Sequence, residues 1–217
     1  MLHSENILIE KMQKSDFNEV VILLTDSFET NPAYSLIFNE TGNLREGLLW
    51  LFRANLFLLN RRETLTNVVR EKASGPIIGT FSIVPPGGAK IGLTDYLHIG
   101  LPGFIKKFGF HTLSKMLKMD AYNKELLNQS MQTKTYYYLN MMVIKEEYRG
   151  KGLGSYVIRK GLQELSEKER TCHVMGLTTQ LPENVIFYSK LGFEKLDEGI
   201  ADFKGNHYYN CNMKFNL

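Results

Sequence analysis

A glycine-rich segment in the second half of the chain constrains the fold more than any other feature. Residues 144–155 read Ile-Lys-Glu-Glu-Tyr-Arg-Gly-Lys-Gly-Leu-Gly-Ser and follow directly on the apolar run 137–144. This order predicts a strand, a tight turn and then a helix. Gly150, Gly152 and Gly154 carry no side chains, so consecutive backbone N–H groups can approach one anion at the positive end of the helix. The segment therefore predicts a site for a phosphorylated ligand.

The spacing of these glycines differs from that of two common nucleotide-binding motifs. A Rossmann fingerprint would need Gly or Ala where the chain has Val157. A Walker A loop ends in Gly-Lys-Ser/Thr, whereas Lys151 is followed by Gly-Leu-Gly. The remaining pattern is Arg149-x-x-Gly152-x-Gly154. It resembles the pyrophosphate-binding signature of the GCN5-related N-acetyltransferase (GNAT) superfamily, whose members bind acetyl-CoA.

A second segment, residues 184–194, resembles the other recurring motif of that superfamily. It reads Asn-Val-Ile-Phe-Tyr-Ser-Lys-Leu-Gly-Phe-Glu, which places Tyr188 on a short helix and Leu-Gly-Phe before a strand. Residues 137–144 correspond to the central strand of the superfamily. The clear resemblance runs from about residue 135 to about 195, and the rest of the chain fits in outline.

The resemblance implies a mixed α/β fold, with a mostly antiparallel sheet flanked by helices. The central strand and the strand beginning near His173 would splay apart and leave a wedge for the cofactor. The whole chain, 1–217, would form one GNAT domain. A helical insertion at about 100–130 would lie where relatives place variable elements over the acceptor site.

The implied activity is transfer of the acetyl group of acetyl-CoA to a primary amine of a small molecule or peptide, by direct attack in a ternary complex. Tyr188 would act as general acid toward the departing thiolate, and the backbone N–H of Met142 would stabilise the oxyanion. The cofactor-binding residues implied by the resemblance are Met142, Val143, Ile144, Arg149, Gly150, Lys151, Gly152, Leu153, Gly154, Ser155 and Asn184.

Several of these assignments have structural alternatives. Tyr188 could be a packed aromatic of an amphipathic helix, and Asn184 could cap that helix. Lys151 could be a solvated surface cation. The glycine turn itself could be an ordinary connection.

Two departures from the superfamily pattern leave the general base unassigned. Leu181 stands where many relatives have an asparagine that contacts pantetheine, and Leu-Thr-Thr at 177–179 supplies no glutamate at the end of the fifth strand. A lysine-like amine with a pKa of about 10.4 must spend about 4.6 kcal/mol to lose its proton at pH 7, whereas a pKa near 8 costs about 1.4 kcal/mol. We therefore expect a low-pKa amine, or a base among Glu146, Asp95, His207 and a water wire.

The same departures leave other functions open. A catalytically inactive acyl-CoA-binding regulatory module is the main alternative, and a bulkier acyl-CoA is another. A nucleic-acid-binding domain has little support, because the net charge is only +3 and the basic residues form no stripe.

Composition sets the remaining expectations. The two cysteines, Cys172 and Cys211, lack the spacing of a zinc site or a disulfide framework, and we expect reduced thiols and no metal. The N-terminus resembles no secretory signal, and no apolar run reaches the ~18 residues of a membrane span. A cytoplasmic monomer or homodimer without membrane or nucleic-acid partners is expected.

Hydrophobic periodicity predicts the other elements. We expect a strand at 7–10, a helix beginning after Ser15-Asp16 and stopped by Asn31-Pro32, a helix from Asn43, and a hairpin of 66–71 with 77–84. The stretch 101–129 should be helical, with Leu113, Met116, Leu117 and Met119 as its apolar face. Residues 193–196 and 208–215 should form a closing strand pair.

Overall fold

The computed structural model describes residues 6–38, 42–132, 135–168 and 171–217. The strands are β1 Leu8–Lys11, β2 Thr66–Arg70, β3 Ile77–Val84, β4 Tyr137–Ile144, β5 Val174–Thr179, β6 Glu194–Phe203 and β7 Asn206–Asn216. The helices are α1 Phe17–Phe28, α2 Pro32–Phe38, α3 Leu44–Asn60, α4 Leu93–His98, α5 Leu101–Met131, α6 Leu153–Lys168 and α7 Pro182–Lys190. Single 3₁₀ turns occupy Lys14–Asp16 and Glu146–Tyr148.

The seven strands form one sheet in the order β1-β2-β3-β4-β5-β7-β6. All neighbouring pairs are antiparallel except β4 and β5, which run parallel. The β4–β5 ladder consists of Tyr137 opposite Met175 and Tyr138 opposite Gly176. Beyond these two pairs no further β4–β5 pairing is present among the described residues, as the resemblance implies. The mixed, mostly antiparallel α/β architecture is confirmed.

Helices cover both faces of the sheet, and each face has its own apolar core. The first face carries α1, α2, α3 and α5, whose buried side chains include Leu24, Phe38, Phe52 and Phe104. The second face carries α6 and α7, which bury Val157 and Val185 against side chains of the sheet. Removal of these apolar surfaces from water holds the helices on the sheet.

The long helix α5 is the expected helical segment, and it packs against β5, β6, β7 and α2 on the first face. Gly109 interrupts it at φ 82° and ψ 157°, so the chain forms two helices joined by a kink. Side-chain hydrogen bonds fasten its second half to the sheet and to the segment before β4. The Tyr208 hydroxyl donates to Asn123 Oδ1 at 2.5 Å, and the Tyr136 hydroxyl donates to Asn128 Oδ1 at 2.8 Å.

Three local expectations need correction. Leu117 is 56% exposed, so the apolar face of α5 comprises Leu113, Met116 and Met119 without it. The Asn31-Pro32 pair ends one helix and also begins α2, because Asn31 Oδ1 accepts the Ala33 N–H at 3.0 Å. The closing strands β6 and β7 are longer than predicted and turn at Lys204-Gly205.

In the described part of the chain, none of the helices is both long and apolar enough to span a bilayer.

Candidate active site

The glycine turn after β4 has an open face. Gly150 and Gly152 adopt φ values of 71° and 83°, a left-handed conformation that favours glycine, and a Cβ at either position would meet no atom within 4 Å. Helix α6 begins directly after this turn, and its first bond into the turn runs from the Tyr156 N–H to the Gly152 carbonyl at 3.0 Å. An α-helix cannot satisfy the N–H groups of its own first turn. The turn can therefore present several N–H groups to one anion.

The third glycine also has a packing role. A Cβ on Gly154 would lie 3.2 Å from Cζ of Phe187, on the neighbouring helix α7. The small residue therefore allows the start of α6 to approach α7 closely. The two segments that resemble the superfamily motifs are in contact through this pair.

The two cations of the turn hold the loop together. Nε of Arg149 donates to the Ile144 carbonyl at 2.8 Å, which joins the turn to the end of β4. Nζ of Lys151 donates to the Glu147 carbonyl at 2.6 Å and lies 5.8 Å from the centre of the Tyr148 ring. Both side chains thus have structural partners close to the predicted phosphate position.

A β-bulge interrupts β4 where the sequence places the oxyanion donor. The register with β3 passes from Asn140 opposite Ser82 to Val143 opposite Thr80, so Met141 and Met142 face a single β3 residue. Met141 takes φ 51°, an uncommon conformation for a residue with a side chain. The bulge lies beyond the last β4–β5 pair. The Met142 backbone is therefore at the open side of the strand.

The bulge also changes which face the following side chains occupy. Leu139 belongs to the core of the second face, but Met141 and Val143 belong to the core of the first. A regular strand would keep these three alternate residues on one face. The bulge therefore turns Met142 and Ile144 toward α6 and α7, where the predicted cofactor would lie.

Tyr188 is buried on α7, with 8% of its surface exposed. Its ring makes edge contacts with Phe187 and Phe193, at centroid distances of 5.0 and 5.4 Å. Burial, together with the nearby Tyr138 phenol, raises the pKa of Tyr188 above its usual value near 10. The phenol is therefore protonated at neutral pH, as a general acid must be.

Buried phenols predict a loss of stability at high pH. Burial raises the pKa of Tyr138 to about 12, and that of Tyr34 and Tyr188 further. In the unfolded chain these phenols lose protons near pH 10, so the unfolded state is favoured as the pH rises above that value. Urea titrations should show no contribution from them below pH 9 and a loss of about 1 kcal/mol per phenol by pH 11. Tyr188→Phe should reduce that loss, whereas tyrosine absorbance of the native protein that titrates entirely near pH 10 would contradict the prediction.

Asn184 fastens α7 to the end of β5. Its Nδ2 donates to Oγ1 of Thr179 at 3.1 Å, and the Leu181 N–H donates to the same oxygen at 3.4 Å. Leu181 occupies the cap position of α7, and no side chain caps this helix. The Asn184 side chain therefore positions the helix that carries Tyr188 without capping it.

The residues considered as bases lie in different places. Asp95 is fully buried, and its carboxylate accepts the Gly92 N–H at 2.8 Å and pairs with Arg61 at 3.2 Å. That N–H, with help from the arginines, holds the pKa of Asp95 below its usual range despite burial. Glu146 is exposed on the 3₁₀ turn, and His207 is exposed at the start of β7 opposite Asp202. Asp95 is thus engaged in an ion pair and is a poor proton acceptor.

The structure adds site features that the sequence analysis missed. They are the bulge at Met141 and the position of Tyr138 in the last β4–β5 pair. Tyr138 could have been recognised from its position near the start of the central strand β4, where β4 forms its last pair with the parallel strand β5.

Comparison with known proteins identifies the family of the segment that carries this candidate site. Residues 122–195 match the family model of the acetyltransferase (GNAT) domain. That range contains β4, the glycine turn, β5 and α7. The segment belongs to the GNAT family, and the family predicted from the two motifs is confirmed.

Solved structures show the same fold. A structure named as an insect putative arylalkylamine N-acetyltransferase, from the yellow fever mosquito, aligns with a TM-score of 0.68 and 11% identity over 97% of this chain and 87% of that one. Spermidine N-acetyltransferase from Vibrio cholerae, in complex with CoA and spermine, aligns with a TM-score of 0.54 and 14% identity over 98% of this chain and 96% of that one. At such identities the likeness shows the fold alone.

One sequence relative is much longer than this chain. A probable serine/threonine-protein kinase of Dictyostelium discoideum is 22% identical over 207 residues. The match covers 90% of this chain and 22% of that protein.

Proposed function

We propose that the chain is an N-acetyltransferase that transfers the acetyl group of acetyl-CoA to a primary amine of a small molecule or peptide. The observation that carries the proposal is the geometry of β4. This strand parts from β5, bulges at Met141 and ends in an open glycine turn at the start of α6. The GNAT match over the same residues supports acetyl transfer, and the amine-acetylating names of the structural neighbours support the acceptor class.

Cofactor binding is assigned to the second face. The pyrophosphate would accept hydrogen bonds from the N–H groups of the turn and the first turn of α6, residues 150–155. The acyl-pantetheine arm would run along the open edge of residues 142–144, and Asn184 would hold α7 beside it. Anion binding at a helix N-terminus needs no further cation, so the structural contacts of Arg149 and Lys151 are compatible with this role.

The reaction follows from the positions of two groups. The amine nitrogen attacks the thioester carbonyl carbon, and the negative charge that develops on oxygen is stabilised by the Met142 N–H. The carbon–sulfur bond then breaks, and the departing thiolate takes the proton of the Tyr188 hydroxyl. The amine must be neutral when it attacks, so either its pKa is low or a base such as Glu146, His207 or a water wire first takes its proton. The attacking nitrogen releases one further proton as the amide forms, and a proton from solvent restores the Tyr188 hydroxyl.

The backbone role of Met142 predicts a contrast between two substitutions. Met142→Ala keeps the N–H and should change kcat by less than about threefold. Met142→Pro removes the N–H and should lower kcat by about 100-fold, the usual effect of losing one oxyanion donor. Steady-state kinetics with a circular dichroism check of folding measures both. Equal activity of two folded variants would rule out the Met142 N–H as the donor.

The activity itself is tested by thiol release from acetyl-CoA in the presence of primary amines, with mass spectrometry of the acetylated product. Product formation that depends on both substrates supports the enzyme. Acetyl-CoA binding without turnover of any amine would favour an acyl-CoA-binding regulatory module. Under either hypothesis, we propose that the whole chain forms one GNAT domain with α5 as its helical insertion. We also propose that the protein is cytoplasmic.

A further inference from the structure

The short helix α4 exposes an apolar surface to solvent. Leu93 is 89% exposed and Leu97 is 70% exposed. With Tyr96, which is also exposed, they occupy positions i, i+3 and i+4 on one side of the helix, and the exposed Ile91 comes just before it. Of the ten large hydrophobic side chains that are exposed in the described part of the chain, four thus fall within residues 91–97. The exposure is therefore concentrated in this segment.

The other side of α4 is fixed to the end of α3. Asp95 is fully buried, and its carboxylate pairs with Arg61 at 3.2 Å and with Arg62 at 3.8 Å. The ring of His98 stacks on that of Phe57, a residue of α3, at a centroid distance of 6.0 Å. These contacts hold the helix in place while its leucines remain in solvent.

Cationic side chains border the apolar surface. Lys90 comes directly before the exposed segment and is itself exposed. The Arg62 side chain is 58% exposed, and its Nη2 atom would lie 3.5 Å from a Cβ on Gly92. Residues 84–119 contain five lysines and a single acid, Asp95, whose charge is offset by its arginine partners. The surface is therefore apolar with a positive border.

This combination fits an anionic membrane surface better than it fits a second copy of the chain. A helix at a lipid interface buries its apolar side chains at the boundary of headgroups and acyl chains, and nearby cations are attracted to anionic lipids. In a twofold dimer the same surface would face itself, so its positive borders would meet and repel each other. Charge complementarity thus favours the lipid surface.

We propose that α4 is a docking surface for anionic membranes, where Leu93 and Leu97 enter the headgroup boundary and Lys90 and Arg62 contact the anionic headgroups. This inference goes beyond the proposed function and does not depend on acetyl transfer. The expectation of no membrane partner rested on the lack of an apolar run long enough to span a bilayer, and an interfacial contact needs no such run. The proposed cytoplasmic location is compatible, because the cytoplasmic leaflet carries anionic lipids.

Co-flotation with lipid vesicles tests this surface. Vesicles of phosphatidylcholine with about a third of phosphatidylserine supply the anionic surface, and vesicles of phosphatidylcholine alone supply a neutral one. The native chain should float with the anionic vesicles and not with the neutral ones, and rising salt should weaken the binding. Leu93→Ser and Leu97→Ser should each lower the partition coefficient by about tenfold, the usual effect of losing one leucine from an apolar environment.

Ile200→Ser is the matched control. Ile200, on β6, is 68% exposed, which is close to the exposure of Leu97. This variant should bind the anionic vesicles like the native chain. Thermal unfolding of all three serine variants should match that of the native chain, because substitutions at exposed positions rarely change stability.

Three results would overturn the inference. The first is that the native chain does not bind the anionic vesicles. The second is that both leucine variants bind as the native chain does, or that Ile200→Ser loses as much binding as Leu97→Ser, because the docking surface would then lie elsewhere. The third is self-association of the native chain, abolished in Leu97→Ser, without vesicle binding, which would assign the surface to a second copy. None of these results bears on acetyl-CoA binding, so the proposed function is tested separately.

Discussion

Gly152→Glu should weaken acetyl-CoA binding by at least about 100-fold. Gly152 lies at φ 83° with open space where its Cβ would be, on the face of the turn that we assign to pyrophosphate. A glutamate there places a carboxylate beside the phosphate charge, and two unit charges 4 Å apart repel by about 4 kcal/mol near a protein surface. A 100-fold loss corresponds to about 2.7 kcal/mol, so repulsion alone exceeds it. Calorimetric titration of acetyl-CoA into the variant measures the effect.

A matched control separates charge at the site from backbone strain. Gly205, in the β6–β7 turn, has a similar φ of 78° and equally open space around its Cβ position. Gly205→Glu carries the same strain and the same added charge away from the glycine turn. It should lower stability as Gly152→Glu does but bind acetyl-CoA like the native chain. Equal binding by both variants would remove the phosphate role from the turn.

Tyr188→Phe should lower kcat by about 100-fold, the lower end of the usual contribution of a general acid. The ring contacts with Phe187 and Phe193 need no hydroxyl, so the variant should keep its fold. Acetyl-CoA affinity should change little, because the lost group acts on the departing thiolate. Pre-steady-state and steady-state measurements of thiol release report the effect on turnover. Calorimetry reports the affinity for acetyl-CoA.

Tyr209 provides the control for removal of a phenol hydroxyl. It also packs on the second face, and its hydroxyl donates to Glu198 Oε1 at 2.6 Å, on β6. Tyr209→Phe should leave kcat unchanged. If Tyr188→Phe also turns over at the native rate, Tyr188 is a packing residue and the thiolate takes its proton from elsewhere.

Local chemistry explains which parts of the site were predictable. The turn at 150–154 is recognisable because its three alternate glycines, between a strand and a helix, match the pyrophosphate-binding signature of the superfamily. The split between β4 and β5 was predicted from the family resemblance. The structure agrees, because the last pair between the two strands is Tyr138 opposite Gly176. The helices follow from apolar periodicity, apart from details such as the exposed Leu117.

The bulge could not be read from periodicity. Leu139, Met141 and Val143 alternate as a regular strand would, yet the structure places Leu139 on the opposite face from the other two. The left-handed conformation of Met141 gives no signal either, because it is not a glycine. Tertiary pairing with β3 sets this geometry, and a single sequence does not encode it locally.

The role of Asp95 was hidden for a related reason. Asp95 was considered as a base because it is a carboxylate. In the structure it accepts a hydrogen bond from the Gly92 N–H and forms ion pairs with Arg61 and Arg62, which follow the end of α3.

The most direct test of the account is a calorimetric titration of acetyl-CoA into the native chain, after any copurified cofactor has been removed. We predict one site per chain with a dissociation constant on the order of micromolar, which corresponds to a binding free energy of about −8 kcal/mol. Acetyl-pantetheine, which lacks the pyrophosphate, should bind far more weakly. Absence of acetyl-CoA binding, or equal affinity for the two compounds, would contradict the cofactor site on which the proposed function depends.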